Sequence, residues 1–351
     1  MLHIRVITPP EQTEAVTEVC SASVAVTNLV VLPGAAREPA GDLVQFDMAR
    51  EAADAMLSRL RELGVDRTGS ISAEHLDVSI SAGATAAEEA APGYDEDAVV
   101  WDELDARTAA DARLSWAFLT FLALATQIAG IGALLDQPIL IVGAMVLGPE
   151  FGALAAICFG VVRRDRIRIT VATRTLVVGF LVAIAVTTAC ATVSRWPLGW
   201  IQPSMLDDRP MTDFIVHPDK WSFIVAVLAG IAGILSITAS KSSALVGVFI
   251  SVTTVPAAGN IAIAIPLGHW SEVGASAVQL VVNLAGMFVA GVATLTFQHW
   301  ISTRYGLQMP LPGTRRRRPA APTGRGPQRV VRPGRVRLRR TGRGPRPPAQ
   351  R

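Results

Sequence analysis

Three cysteines in 351 residues, at positions 20, 158 and 190, are too few and too scattered for a disulfide framework or a metal-ligand spacing. Histidine is also sparse: His3 and His75 stand alone. The sequence offers no nucleophile–base pair, phosphate loop or His cluster, which leaves enzymatic chemistry the weakest class of function, with no cofactor expected. The opening MLHIRVITPPEQ lacks a charged segment followed by an apolar one, so no cleavable signal peptide is expected and insertion relies on the first apolar span. Acid is missing from one end altogether. Residues 301–351 hold 15 Arg and no Asp or Glu, whereas residues 1–114 hold 8 Arg against 21 Asp and Glu. The formal net charge of +3 therefore conceals two ends of opposite sign.

What the chain has in abundance is apolar sequence confined to its middle. Stretches at about 115–135, 138–162, 169–193, 221–240, 243–266 and 273–299 each reach the ~20 residues a tilted span needs. Six of the seven tryptophans, 116, 196, 200, 221, 270 and 300, fall at span ends, where amphipathic rings prefer the headgroup region. Arg163, Arg164, Arg166 and Arg168 join spans two and three, and Lys241 lies between spans four and five. If these loops are cytoplasmic, both termini are too, with Arg195–Lys220 as the main external loop, of little net charge. A multi-pass protein of a bacterial inner membrane is the expectation.

The second span, Leu140–Gly160, carries Pro149 and Glu150 near its midpoint. Small residues recur every fourth position from Ala144 through Gly148, Gly152 and Ala156 to Gly160, a ridge for close helix approach. Glu150 lies roughly 200° around a regular helix from Gly148 and leaves that ridge unless the helix breaks. Pro149 supplies the break, since it has no N–H to give the carbonyl of Met145. Exposed backbone at membrane depth is tolerated only beside protein or a water-filled cavity. An unpaired carboxylate at the bilayer centre costs at least ~2.5 kcal/mol, so Glu150 must be protonated, paired or hydrated. Proton coupling or cation binding is one reading of it. A neutral acid that merely holds helices together is the other.

The two halves of the apolar region echo each other. Ala129-Gly130-Ile131 recurs as Ala229-Gly230-Ile231, Ile141-Val142-Gly143 as Leu245-Val246-Gly247, and Pro149-x-x-Gly152 as Pro256-x-x-Gly259. Three spans per half give the second half the opposite topology, and paired interrupted spans in such a repeat point to a site at its interface. Ser251, Thr253, Thr254 and Asn260 around Pro256 can coordinate an ion or small solute, although hydroxyls in spans also bend helices by bonding the preceding turn. The candidate pathway is thus Met145, Pro149, Glu150, Ser251, Thr253, Thr254, Pro256 and Asn260, with Gly143, Gly148, Gly152, Gly160, Gly247 and Gly259 as helix-packing positions.

Residues 1–81 alternate strand and helix patterns: strands at Leu2–Ile7, Val24–Leu32, Leu43–Phe46 and Ser70–Ile80, a helix opened by Pro9-Pro10 and running to about Ser21, another at Met48–Leu63, and a turn at Pro33-Gly34. The order βαββαβ suggests a ferredoxin-like α+β domain, a fold common to regulatory ligand-binding modules. Residues 82–114 read as an acidic linker and a connecting helix. Residues 115–300 form the six-helix bundle. Residues 301–351, rich in Arg, Pro and Gly, are expected to be a disordered cytoplasmic tail. Anionic lipid headgroups are its plainest partner, its own acidic N-terminal domain another, and nucleic acid the weakest. A homo-oligomer is left open.

Gly143-Ala144-Met145, Gly148-Pro149 and Gly152, followed by Ser242 to Gly247 and Pro256, resemble the bacterial membrane family called domain of unknown function 389, the "uncharacterised hydrophobic domain" proteins, over about 98–298. The resemblance implies a multi-span bundle with a small soluble N-terminal domain and brings no substrate or catalytic residue. Many members have a Ser-Pro-Leu step where this chain has Gly148-Pro149-Glu150. A transporter or channel for a small solute or ion is the leading expectation; a membrane-anchored sensor or scaffold without flux is the alternative.

Overall fold

The computed structural model describes residues 1–76, 78–91, 99–206, 209–212, 215, 220–238 and 254–305. The N-terminal region forms an antiparallel sheet of β1 (Leu2–Thr8), β2 (Val26–Arg37), β3 (Ala40–Met48) and β4 (Ser70–His75) in the order β2-β3-β1-β4. Helices α1 (Pro10–Ser21) and α2 (Ala53–Glu62) fill the two crossovers, a split βαβ arrangement. Alternation along β1 sends Leu2, Ile4 and Val6 inward against Val44, Phe46, Val16 and Leu60.

Several local expectations change. Pro33-Gly34 is not a turn: β2 runs on to Arg37, with the pairing register slipping between Leu32 and Ala36. That irregularity accommodates a proline, which has no N–H for the ladder. The Gly34 N–H instead donates to Asp42, whose carboxylate also accepts from Thr13. These bonds, Thr13 foremost, hold Asp42 below the usual carboxylate range. Met48 ends β3, and a 3-10 turn at Arg50–Ala52 precedes α2. The chain then reverses at Gly64, whose φ of +79° is left-handed. β4 stops at His75 rather than continuing to Ile80.

The stretch taken as linker contains α3 (Ala82–Ala90), an alanine-rich helix started by Ser81, whose hydroxyl accepts from the Ala84 N–H at 2.9 Å. After it comes α4 (Trp101–Asp111), and then the apolar helices. These are α5 (Trp116–Leu134), α6 (Pro138–Leu147), α7 (Glu150–Arg163), α8 (Arg166–Arg195), α9 (Lys220–Thr238), α10 (Thr254–Leu267) and α11 (Trp270–Tyr305). Among the described residues four helices (α5, α8, α9 and α11) are long and apolar enough to cross a membrane, or five if the α6–α7 pair, bent by 50°, is one span. The fifth expected span, 243–266, is represented by the short α10, and its earlier part lies outside the described residues. The apolar surface agrees with a bilayer: Trp116, Trp196, Trp200, Trp221 and Trp270 all stand exposed at helix ends or the loops joining them.

Candidate functional site

The bend falls where Pro149 predicts it. Gly148 leaves the helical conformation at ψ 121°, Pro149 caps the next helix, and α7 starts at Glu150. α10 starts at Thr254 in the same part of the bundle interior. Glu150 is 1% exposed and Thr254 fully buried, and the Thr254 hydroxyl donates to Glu150 Oε1 at 2.7 Å. Gly148 permits this approach, because a Cβ there would lie 2.8 Å from Val255 Cγ2. α7 begins at Glu150, where a helix N-terminus presents unpaired N–H groups and positive potential, and Thr254 of α10 donates to the same carboxyl group.

The two helices leave this point in opposite directions. α7 ends at the arginine-rich turn that begins α8. At the far end of α8, Ala191 shares a cluster with Ala133, Leu206 and Leu267, the last residue of α10. Thus α7 runs toward one end of the bundle and α10 toward the other.

A second buried polar cluster lies along α10 and α11. Arg209, in the connection before α9, is 7% exposed and donates from Nη1 to Asn260 Oδ1 at 2.8 Å, from Nη2 to Glu272 Oε2 at 2.6 Å, and from Nε to the Leu206 carbonyl. Asn260 Nδ2 donates to Ser276 Oγ at 3.0 Å and to Glu272 Oε2. The same connection is tied to the α5–α6 turn, where Asp136 accepts from the Thr212 hydroxyl at 2.8 Å and the Met211 N–H. Arg209 is therefore driven into the bundle end by a tethered segment whose Leu206 and Ile215 pack inward.

α4 joins the sheet domain to the bundle. Glu103 pairs with Arg50 and Asp102 with Arg61 on one side. On the other, Trp101 and Leu104 pack on Phe159 of α7 and Leu295 of α11, and Asp105 pairs with Arg168 of α8 at 2.9 Å. Asp111, at the end of α4, lies against Gly152, where a Cβ would stand 3.0 Å from its Cγ. Desolvation there raises the pKa of Asp111 above the usual carboxylate range. Between α4, α2 and the open edge of β4 lies a cleft of about 550 Å³ lined by Arg61, Asp66, His75, Asp102 and Glu103 among others.

Of the expected pathway residues, the structure brings Glu150 and Thr254 into contact, buries Pro256 two residues further along α10, packs Met145 in the cluster of Ile141, Leu206 and Leu267, and places Asn260 in the Arg209 cluster. Ser251, Thr253 and Gly247 lie outside the described residues. Gly148 meets Val255, Gly160 meets Ile169 of α8, and Gly259 packs on Gly130 and Ala129 of α5. Gly143 differs: among the described residues nothing lies within 4 Å of a Cβ built on it, so no described neighbour packs there. In the connection before α9, Arg209 is not a loop charge in solvent but a buried one. Sequence reasoning missed Arg209, Glu272, Ser276 and Gln279. The 4-3-4 spacing of Glu272, Ser276, Gln279 and Asn283 in an apolar helix was a signal for the last three. Nothing in the sequence marked Arg209.

A mostly helical, membrane-type bundle with a buried carboxyl group at the start of α7 and a small antiparallel sheet domain is what these observations define. Residues 145–289 match the family model described as "Domain of unknown function (DUF389)", which bears out the resemblance read from the sequence. An uncharacterised protein of Methanocaldococcus jannaschii is 25% identical over 181 residues, 52% of this chain and 54% of that protein. The chain thus spans about half the length of the curated relative it matches. No solved structure matches.

Proposed function

We propose that the protein is a multi-pass transporter or channel of a bacterial inner membrane, in which Glu150 and the start of α10 line the path of a small solute or ion. Proton or cation coupling runs through Glu150. The observation that carries this reading is the buried Glu150–Thr254 contact, made where α7 begins beside the oppositely directed α10. Interrupted helices whose ends converge on polar groups inside a bundle are the form that membrane transport sites take. A purely structural span needs neither the break nor the acid.

The 3+3 inverted repeat belongs to the same proposal. Pairing α5 with α9, α7 with α10 and α8 with α11 maps several packing contacts onto one another. α5 packs on α8 as α9 packs on α11; α7 packs on α8 as α10 packs on α11; α7 reaches α11 as α10 reaches α8. The arginines of the α7–α8 turn favour cytoplasmic termini, and lipid headgroups remain the partner for the basic tail.

One observation favours a second reading, a membrane-anchored sensor. The cleft between β4 and α4 is large enough for a small ligand, and α4 links it to α7. In the transport reading the same link lets the sheet domain gate the bundle.

Reconstituted protein with an imposed pH or cation gradient tests the choice. Wild-type flux that depends on pH, and falls at least tenfold in Glu150→Gln, supports transport. Flux and pH dependence unchanged by Glu150→Gln would remove this residue from the mechanism, and absence of flux across a broad solute screen favours the sensor.

A further inference from the structure

Glu272, Ser276, Gln279 and Asn283 recur on α11 at intervals of four, three and four, which at 100° per residue places them within an arc of about 60°. At 1.5 Å per residue this stripe is roughly 16 Å long. It lies inside the bundle: Ser276 and Asn283 are fully buried and Gln279 is 1% exposed. Its upper end is fixed by bonds of Glu272 and Ser276 to Asn260. α10 runs antiparallel to α11 across a tight turn at Gly268 and His269, so Thr254, six residues before Asn260, comes about level with Asn283. The stripe therefore starts at the Arg209–Glu272 pair and ends at the depth of Glu150.

Gln279 sits between these two hydrogen-bonded groups. Neither its Oε1 nor its Nε2 has a hydrogen-bond partner among the described residues. Burying an amide with both ends unmet is unfavourable, and native interiors answer such groups with ordered water or a polar ligand. Along the helix, Gln279 is about 4.5 Å from the level of Ser276 and 6 Å from that of Asn283, steps that one or two waters bridge.

Resting on the transport reading above, we propose that Gln279 is the midpoint of a hydrated proton relay between Glu150 and the Arg209–Glu272 pair. Its ligand is water, and its cargo is the proton. A proton entering past Glu272 passes along the waters, each hop breaking one O–H bond as the next forms, and ends on the Glu150 carboxylate as the neutral acid. Gln279 orients the chain by donating at one end and accepting at the other. Arg209, bonded to both Asn260 and Glu272, closes the entrance.

The experiment follows the proton at Glu150, without needing a solute. Full-length protein in lipid is moved between H2O and D2O, and the infrared carbonyl band of protonated Glu150, assigned by its loss in Glu150→Gln, reports the exchange rate. Gln279→Leu is expected to slow exchange at least tenfold while the melting temperature holds or rises. Gln279→Ser, which keeps polarity and leaves room for water, is expected to retain the wild-type rate. Equal rates in wild type and Gln279→Leu would overturn the relay, as would Gln279→Ser being as slow as Gln279→Leu, or a Glu150 carbonyl band that never appears at any pH. Failure of the transport reading is registered separately, by flux that ignores Glu150→Gln.

Discussion

In the sheet domain the interior is Leu2, Ile4, Val6, Val16, Val44, Phe46, Met48 and Leu60, and the buried acids Asp42 and Asp47 sit at its edge with hydrogen bonds to Thr13, Gly34, His3 and Asn28. In the bundle, at equal burial, Glu150, Asn260, Ser276, Gln279 and Asn283 occupy the interior, and Arg209 is drawn in at one end beside Asn260. The first region spends its interior on cohesion. The second carries polar groups that cost stability, and they gather at the start of α7 and on one face of α11. Polar side chains gathered in this way inside an apolar bundle indicate a task beyond holding the fold.

The comparison breaks most sharply under substitutions that exchange the two characters. Truncating the sheet core with Leu60→Ala should cost about 2–5 kcal/mol of that domain's stability, read by thermal or denaturant unfolding, with the apolar helices still inserted. Arg209→Ala removes the buried guanidinium from Asn260 and from the part-buried Glu272 and should cost about 1–3 kcal/mol in melts of the detergent-solubilised protein. Adding Glu272→Gln to it should recover much of the loss. If Arg209→Ala is silent alone, the buried pair is not part of the bundle's cohesion.

Smaller effects sharpen the contrast. Thr254→Val keeps shape and removes the hydroxyl bonded to Glu150, so it should change stability by about 1 kcal/mol while moving the pH profile of flux. An unmoved profile separates Thr254 from the function of Glu150. Least of all, Asp54 on α2 has its pKa raised by desolvation and by the neighbouring Asp102. A raised folded-state pKa means that the folded state holds the proton more tightly than the unfolded one. Stability from this group is present below the unfolded pKa and is lost as pH rises through the folded one. Asp54→Asn should flatten stability against pH on the acid side of neutrality, and a slope identical to wild type would remove Asp54 as its source.

Much of this was legible in the chain. Alternation along β1, the Pro9-Pro10 start of α1 and the Gly64 stop follow from local rules, and so does the break at Pro149, because proline cannot continue the hydrogen-bond ladder. Ala82–Ala90 was misread because its acids and small residues look like linker, whereas alanine propensity and the Ser81 cap make it a helix. The Glu150–Thr254 contact joins residues 104 apart, a tertiary fact that the repeat pattern pointed to but could not measure. Arg209 was invisible for a different reason: what buries it is the tether at Asp136 and the acceptors Asn260 and Glu272, all distant in sequence.

In the transport reading, water reaches the point where Thr254 meets Glu150. Thr254→Cys, in protein with Cys20, Cys158 and Cys190 replaced by alanine, can be exposed in vesicles to a small charged thiol reagent from either side. The account predicts labelling from at least one side, at a rate altered by Glu150→Gln. A correctly folded protein whose Cys at 254 resists the reagent from both sides would contradict it.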